Sequence, residues 1–415
     1  MNYQSDLNKI SLTEAAGLDT GPIPTDIYTS TEQYALERDR IFRRAWLKVG
    51  RIEQLQNAGD FFTKEIAILN ASIIITRGKD GKIRALHNMC SHRGNRVVLQ
   101  ECGTASRFTC RYHSWTYQNT GELVGAPDAS GFFDFDKEKC GLTAISCDVW
   151  DGWIFINFDS NPEVSLKAYL GSFGDNMSGI TYPFPNHCII LKGEIQANWK
   201  AVADAFSEVY HLTSIHPKTF APVYSGKENP HSRLLSARVY GTHINNSCWL
   251  NTEYKPTSDA LIERWLYPAT QTVTGTKRQG EVNLILEHPA VNPTKSENWA
   301  QDVNWIFPNT HIQISANRFW SHEFWPTSPT TTIWEGRFWQ PEPQTIRERV
   351  QLERFTAQMC DGMLEDLSTI ENTQRGMMSG AKSFLHLHDC ELLIRHQIKQ
   401  IIKWTKAATV SEAIS

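Results

Sequence analysis

From about residue 45 to 160, apolar and polar positions follow the short period of strands, broken repeatedly by turn residues. Ser72 to Thr76 is rich in β-branched side chains, Asp80-Gly81 is a hairpin turn signal, and Ile83 to His87 resumes the extended pattern. Trp115 to Gln118 and Glu122 to Val124 flank Asn119-Thr120-Gly121, a second hairpin. Trp150 to Phe158 (WDGWIFINF) has the continuous apolarity of a buried strand, and Asn161-Pro162 then opens a helical stretch. These spacings predict an all-β domain over 45–160.

Elsewhere the periodicity is mixed. Leu191 to Ala201 is strand-like and runs into AVADAFSEVYHL, which predicts a helix over 201–212. Long strands rich in Trp, Phe, Ile and Thr are expected around 233–250, 303–324 and 330–339. A last helical region begins near Thr345, where Phe355, Met359, Met363, Leu367 and Ile370 recur every three or four residues. The expected fold class is α+β: the all-β domain, and a second domain from 1–44 and 161–415 in which long helices pack an antiparallel sheet. Internal repeats and low-complexity linkers are absent from the chain.

Charge excludes some functions. The 41 Lys and Arg against 45 Asp and Glu leave a net charge of −4, which argues against nucleic acid and against a polybasic membrane anchor. No run of 18 apolar residues occurs, and the start MNYQSDLNKISLTEAAGL has neither the positive nor the apolar region of a signal peptide. A cytoplasmic protein with small-molecule or protein partners is expected. Nine scattered cysteines, an odd number, do not form a disulfide framework and are read as thiols.

Four of the candidate ligands fall in the β domain. Cys90-x-His92 is followed after 17 residues by Cys110-x2-His113. Two Cys and two His could bind zinc, but zinc clips usually pair like with like, whereas each clip here holds one of each. A Rieske [2Fe–2S] centre wants this arrangement, with two thiolates on one iron and two imidazoles on the other. Cys102, inside the same interval, has no ligand role in the pattern. Asn95 and Tyr112 stand where respiratory-chain Rieske proteins carry an extra cysteine pair, which argues against that branch.

A second constellation lies in NWKAVADAFSEVYHLTSIHPKTF, which starts at Asn198. On a helix Glu208 and His211 share a face. His216 would lie about 140° away from His211, but Pro217 pushes it out of the α region and lets the chain turn back. A facial triad of two histidines and a carboxylate holds Fe(II) and leaves positions open for dioxygen and substrate. Asp366 falls three residues after Met363 and four before Ile370, on the apolar stripe of the last helix, where an unpaired carboxylate would be expensive. Glu365 and Glu371 fall off that stripe and read as solvated acids.

CSH with CRYH, NWK followed by EVYHLTSIH, and Asp366 eight residues before Gln374 together resemble the oxygenase (α) component of Rieske non-haem iron, or ring-hydroxylating, oxygenases over nearly the whole chain. The resemblance implies that Cys90, His92, Cys110 and His113 hold the cluster, that His211, His216 and Asp366 hold the iron, and that Glu208 links His211 to His113 of a neighbouring subunit. It further implies a Rieske domain plus a helix-grip catalytic domain in head-to-tail trimers. Glu208 and Asp204-Ala205 depart from the Asp and Glu-Asn of many aromatic-ring dioxygenases. One residue is also missing between the NWK turn and Glu208 relative to that branch. These differences weaken the inference of a simple arene substrate or of a β subunit.

The implied reaction is cis-dihydroxylation or monohydroxylation of an apolar, aromatic or alicyclic small molecule by O2, with N- or O-demethylation as the runner-up. An electron-transfer protein using the cluster alone is the alternative from another class. No G-x-G-x-x-G lies between a strand and a helix, so electrons from NAD(P)H are expected through a separate reductase, with or without a ferredoxin. Phe206, Trp249, Phe307 and Trp320 are candidate pocket aromatics, each as readily explained as sheet core.

Overall fold

Residues 36–169 and 404–414 form one compact unit, and residues 1–35, 170–403 and 415 another, in this computed structural model. It describes residues 2–4, 11–180, 182, 187–258, 260–270, 285–315, 318–340 and 342–415.

The first unit carries two antiparallel sheets. A seven-stranded antiparallel sheet runs in the order Leu47–Arg51, Trp153–Asn157, Ala144–Trp150, Ile83–His87, Ala71–Arg77, Asp60–Ile66 and Cys102–Thr104. A three-stranded sheet follows, from Leu123–Gly125 through Thr116–Gln118 to Arg107–Thr109. Asp80-Gly81 turns the chain as its sequence demands, with Gly81 at φ 76°. Between the sheets, Phe61, Ile74, Leu86, Val97, Phe108, Trp115 and Tyr117 pack around the two buried cysteines, Cys90 and Cys110.

The catalytic unit is built on an eight-stranded antiparallel sheet. Its strands are β1 (Cys188–Ile195), β2 (Ser236–Tyr240), β3 (His243–Trp249), β4 (Trp299–Ile306), β5 (Thr310–Ile314), β6 (Phe319–Ser328) and β7 (Thr331–Trp339), with Asn2–Gln4 at one edge. The order is Asn2–Gln4, β2, β3, β4, β5, β6, β7, β1. Turns divide what the apolar pattern reads as single long strands: Gly241 at φ 60° separates β2 from β3, and Pro308-Asn309 lies between β4 and β5. Apolar periodicity does not see such turns when the residues around them stay buried.

Helices α1 (Trp199–Ala205), α2 (Leu212–Ile215), α3 (Ala221–Tyr224), α4 (Ile346–Met378) and α5 (Leu392–Lys406) complete the parts used below. Thr345 caps α4 by accepting from the Glu348 amide at 3.2 Å. Asp366, Ile370, Gln374 and Met377 are buried along α4, whereas Phe355, Met359, Met363 and Leu367 of the expected stripe are half-buried, so the inward face is turned from that stripe toward Asp366 and Gln374.

The helix expected over 201–212 forms only in its first part. It stops at Ala205, and His211 is the residue that precedes α2. Two side chains account for the break. The Ser207 hydroxyl donates back to the Ala203 carbonyl at 2.8 Å, and the Glu208 carboxylate accepts from the amides of Tyr210 and His211. Both offer the backbone an alternative to the helical ladder.

Candidate metal centres

The two Cys/His loops of the β domain have the same backbone design. In each, the cysteine amide donates to the carbonyl five residues on, and the amide four residues on donates back to the cysteine carbonyl: Cys90 to Asn95 and Gly94 to Cys90, then Cys110 to Trp115 and Ser114 to Cys110. The fifth residue of each loop therefore needs a left-handed conformation. Gly94 takes it freely at φ 77°, whereas Ser114 takes it at φ 58° against the usual preference of a residue with a Cβ.

This repeated turn brings the donors together. The rings of His92 and His113 lie 4.4 Å apart, and His92 stacks on Trp115 at 5.2 Å. Tyr117 accepts the Ser91 amide at 3.0 Å, which leaves its O–H to donate to the Cys90 sulfur at 3.1 Å. Asn95 Nδ2 donates to the Cys110 sulfur at 3.6 Å. Burial pushes the Cys90 thiol above its ordinary pKa. Cys110 is also desolvated, but the Tyr112 amide, Asn95 and the Cys90 thiol outweigh that and hold it below. His92 Nδ1 is buried without a hydrogen-bond partner, while His113 is exposed. Two buried sulfurs supplied with donors, beside two imidazoles, fit a [2Fe–2S] cluster of the Rieske kind. Cys102 lies exposed on its own strand.

In the catalytic unit His211, His216 and Asp366 converge, with one ligand atom from each lying within 4.8 Å of the others. Asp366 Oδ1 is 2.9 Å from His216 Nε2 and 3.6 Å from His211 Nε2. Both Nε2 atoms face this point because both Nδ1 atoms are engaged behind it. His211 Nδ1 donates to Glu208 Oε1, and His216 Nδ1 donates to Glu365 Oε2 at 2.6 Å. That is the arrangement expected of metal-binding histidines, with a carboxylate fixing each ring and its tautomer. Pro217 has its expected effect, since His216 leaves the helix at φ −114°, ψ 45°.

Several residues differ from their sequence reading. Glu365 is not a solvated acid, because it also accepts from Thr219 Oγ1 at 2.6 Å. Glu371 is not one either, since it accepts from the Gln196 amide at 3.0 Å and pairs with Arg375 at 3.6 Å. Burial would raise Glu365, but His216 and Thr219 prevail and hold its carboxyl below the usual range. For His216 desolvation works against the charged form, yet Asp366 and Glu365 together raise its pKa. Replacing Glu365 with Gln is expected to weaken iron binding about 10–100-fold, read by Fe(II) titration of the iron-free protein, with the cluster absorption unchanged. Unaltered affinity would show that Glu365 does not position His216.

Packing holds these residues in place. The Phe220 ring lies 5.0 Å from His216, and a Cβ at Gly362 would meet Phe220 at 2.3 Å, so α4 can approach only as glycine there. Gln374, on the stripe of Asp366, accepts the Asn198 amide at 2.9 Å, and Asn198 Oδ1 in turn caps α1 through the Lys200 amide at 3.1 Å. Tyr28 donates to Asp204 Oδ2 at 2.6 Å. Burial first, against the lowering effect of the Tyr28 hydrogen bond, and then the charges of Glu391 and Glu208 push the Asp204 carboxyl up to about 8. No periodic pattern marks Tyr28, because it meets Asp204 across 176 residues.

A family model described as the ring hydroxylating alpha subunit (catalytic domain) matches residues 178–407, and one for the Rieske [2Fe-2S] domain matches residues 45–136. The chain belongs to the ring-hydroxylating oxygenase α-subunit family. It is 27% identical over 285 residues to the carnitine monooxygenase oxygenase subunit of Escherichia coli (strain K12), covering 67% of this chain and 73% of that protein. It is 34% identical over 206 residues to the benzene 1,2-dioxygenase subunit alpha of Pseudomonas putida, covering 47% and 44%. A solved quaternary ammonium Rieske monooxygenase, whose structure bears on carnitine oxidation and inter-subunit electron transfer, superposes with a TM-score of 0.73 at 20% identity, covering 96% of this chain and 100% of that one.

The enzyme is thus a Rieske non-haem iron oxygenase, an oxidoreductase with a [2Fe–2S] cluster and a mononuclear iron that acts with electron-transfer partners. The fold class is the expected one, a Rieske domain plus an α+β catalytic domain. Among the described residues, no helix is long and apolar enough to cross a membrane. Of the candidate pocket aromatics, Phe206 stacks on Trp334 and tilts against His322, on the sheet face that meets α1. Trp320 shares that face by alternation. Trp249 is buried at the end of β3, and Phe307 is buried in the turn between β4 and β5.

Proposed function

We propose that Cys90, His92, Cys110 and His113 hold the cluster, that His211, His216 and Asp366 hold the iron, and that the enzyme hydroxylates a largely apolar small molecule. The observation that carries this reading is the convergence of two histidine Nε2 atoms and a buried carboxylate, with Asp366 150 positions beyond His216 in the chain. When bound, the iron would activate dioxygen with electrons that the cluster relays from NAD(P)H through a ferredoxin, a reductase or both.

The protein's own residues set the geometry of that chemistry. Glu208 and Glu365 orient the two imidazoles, and Asp366 supplies the one anionic ligand. Three protein ligands on one side leave the remaining positions for dioxygen and substrate. His113 is exposed on the Rieske unit, as contact with Glu208 of a neighbouring copy in a trimer requires. The same reading includes a cytoplasmic location.

Iron analysis with oxygen uptake tests the proposal. Three irons per chain are expected, with reductant-dependent O2 consumption and a hydroxylated product across a panel of arenes, aromatic acids, steroids and methylated amines. Two irons per chain with no oxygen uptake would identify an electron carrier instead.

A further inference from the structure

One face of the catalytic sheet looks toward the helices that carry the metal-binding residues. Along β6 and the residue before it, Arg318, Trp320, His322 and Phe324 alternate onto this face. At one end the strip meets the Glu208–His211 turn. The Phe206 ring is 4.6 Å from His322, and Ser207 Oγ is 3.2 Å from Nε2 of His311, the cross-strand partner of His322.

At the other end the Arg318 guanidinium lies over the Phe355 ring, 4.0 Å from its centroid. Phe355 in turn packs on Phe338 at 6.3 Å. Phe355 and Asp366 occupy the same side of α4, because eleven residues at 100° return to within about 20°. Four strand residues, or eleven helical ones, separate Arg318 from the metal-binding cluster by roughly 13–16 Å along the backbone.

The polar groups on this face largely satisfy one another. Tyr224 donates to Gln301 at 2.9 Å, Gln301 to Gln313 at 3.1 Å, and Trp334 to His322 at 3.2 Å. His311 Nδ1 is buried without a partner, and Arg318 is the other exception. Its Nε is enclosed without a partner, and among the described residues no carboxylate or carbonyl accepts from its guanidinium. The charge that acts on it is Arg354, of like sign and already paired with Glu263 at 3.0 Å. Burial, then Arg354, lowers Arg318 to about 10, so it is still a cation at neutral pH.

Other arginines find acceptors: Arg337 pairs with Glu335 at 2.7 Å, and Arg395, although its Nε is also without a partner, donates through its other nitrogens to the carbonyls of Asp19, Gly21 and Leu387. Arg318 is half-buried, so its cation is partly desolvated with no anion beside it, and the planar fork of a guanidinium matches a carboxylate in two parallel hydrogen bonds.

We propose that Arg318 anchors the anionic end of the substrate, an elongated and mainly apolar carboxylate whose oxidisable carbon lies about 13–16 Å from its charge, the span given by the strand and helix rises. The assignment rests on the reading that His211, His216 and Asp366 hold the iron. Trp320, Phe338 and Phe355 flank the apolar body, and Phe355 holds the guanidinium plane in a fixed orientation.

Binding to the anaerobic holoenzyme tests it without turnover. The probes are 6-phenylhexanoate, 4-(4-phenylphenyl)butanoate and dodecanoate, each beside its primary amide, measured by calorimetric titration. At least one acid should bind about 10–100-fold more tightly than its amide, as one charge-assisted contact implies. Arg318→Gln should abolish that preference and Arg318→Lys retain part of it, with iron content unchanged in both. Equal binding of acid and amide in all three pairs, absence of acid binding, or a preference that survives Arg318→Gln overturns the proposal. Acid preference in a protein without mononuclear iron at His211 and His216 would instead defeat the iron reading and leave the anchor standing.

Discussion

Replacing Asp366 with alanine strips the mononuclear iron and ends oxygen consumption, while the Rieske absorption remains. Asp366 is 4% exposed and supplies the anionic member of the His211, His216, Asp366 cluster. Its loss should exceed the roughly 10–100-fold effect expected for a residue that merely supports a ligand. The fold should survive, because the main cost is one buried partner lost at His216 Nε2, about 1–3 kcal/mol. A domain of ordinary stability, about 5–15 kcal/mol, tolerates that. The check is iron per chain together with the visible spectrum: one iron lost of three, with the cluster bands intact. Loss of both signals would make Asp366 a structural residue and remove the carboxylate from the proposed triad.

The features visible in the sequence are those that a single local element encodes. Each Cys/His pair sits within one turn, so spacing and residue type suffice to find it, and the structure adds only the shared backbone pattern that places Gly94 and Ser114. Asp366 is equally legible, since a helix repeats its inward face and a carboxylate there needs a partner. The roles of Glu365 and Arg318 are not. Glu365 turns toward His216 from a position off the main apolar stripe, across 149 residues of chain, and no periodicity reports that reach. Arg318 falls inside the strand expected over 303–324, and only the packing around it shows that, among the described residues, no acid meets it. The break after Ala205 was hidden for a further reason. AVADAFSEVYH has good helical periodicity, but hydrogen bonds from Ser207 and Glu208 to nearby backbone override it.

That same break makes Glu208→Gln the more informative change. With both oxygens in use, Oε1 accepts from His211 Nδ1 and Oε2 from the amides of Tyr210 and His211. Glutamine keeps the shape but has one acceptor fewer. While the metal holds His211 through Nε2, the imidazole N–H must still meet the amide oxygen, so the new NH2 group faces two backbone donors. The turn then loosens at a cost of about 1–3 kcal/mol, and iron binds more weakly without being lost. The negative charge that would link His211 to His113 of a neighbouring copy is gone, and with it the proposed route between the centres. Single-turnover kinetics should therefore show three irons per chain, a normally reduced cluster, and cluster reoxidation slowed by well over tenfold, more than weaker iron binding explains. Glu208→Asp, which keeps the charge and shortens the reach, should recover part of the rate if linkage between subunits is the role. An unchanged reoxidation rate in Glu208→Gln would leave Glu208 as the residue that orients His211 and nothing more.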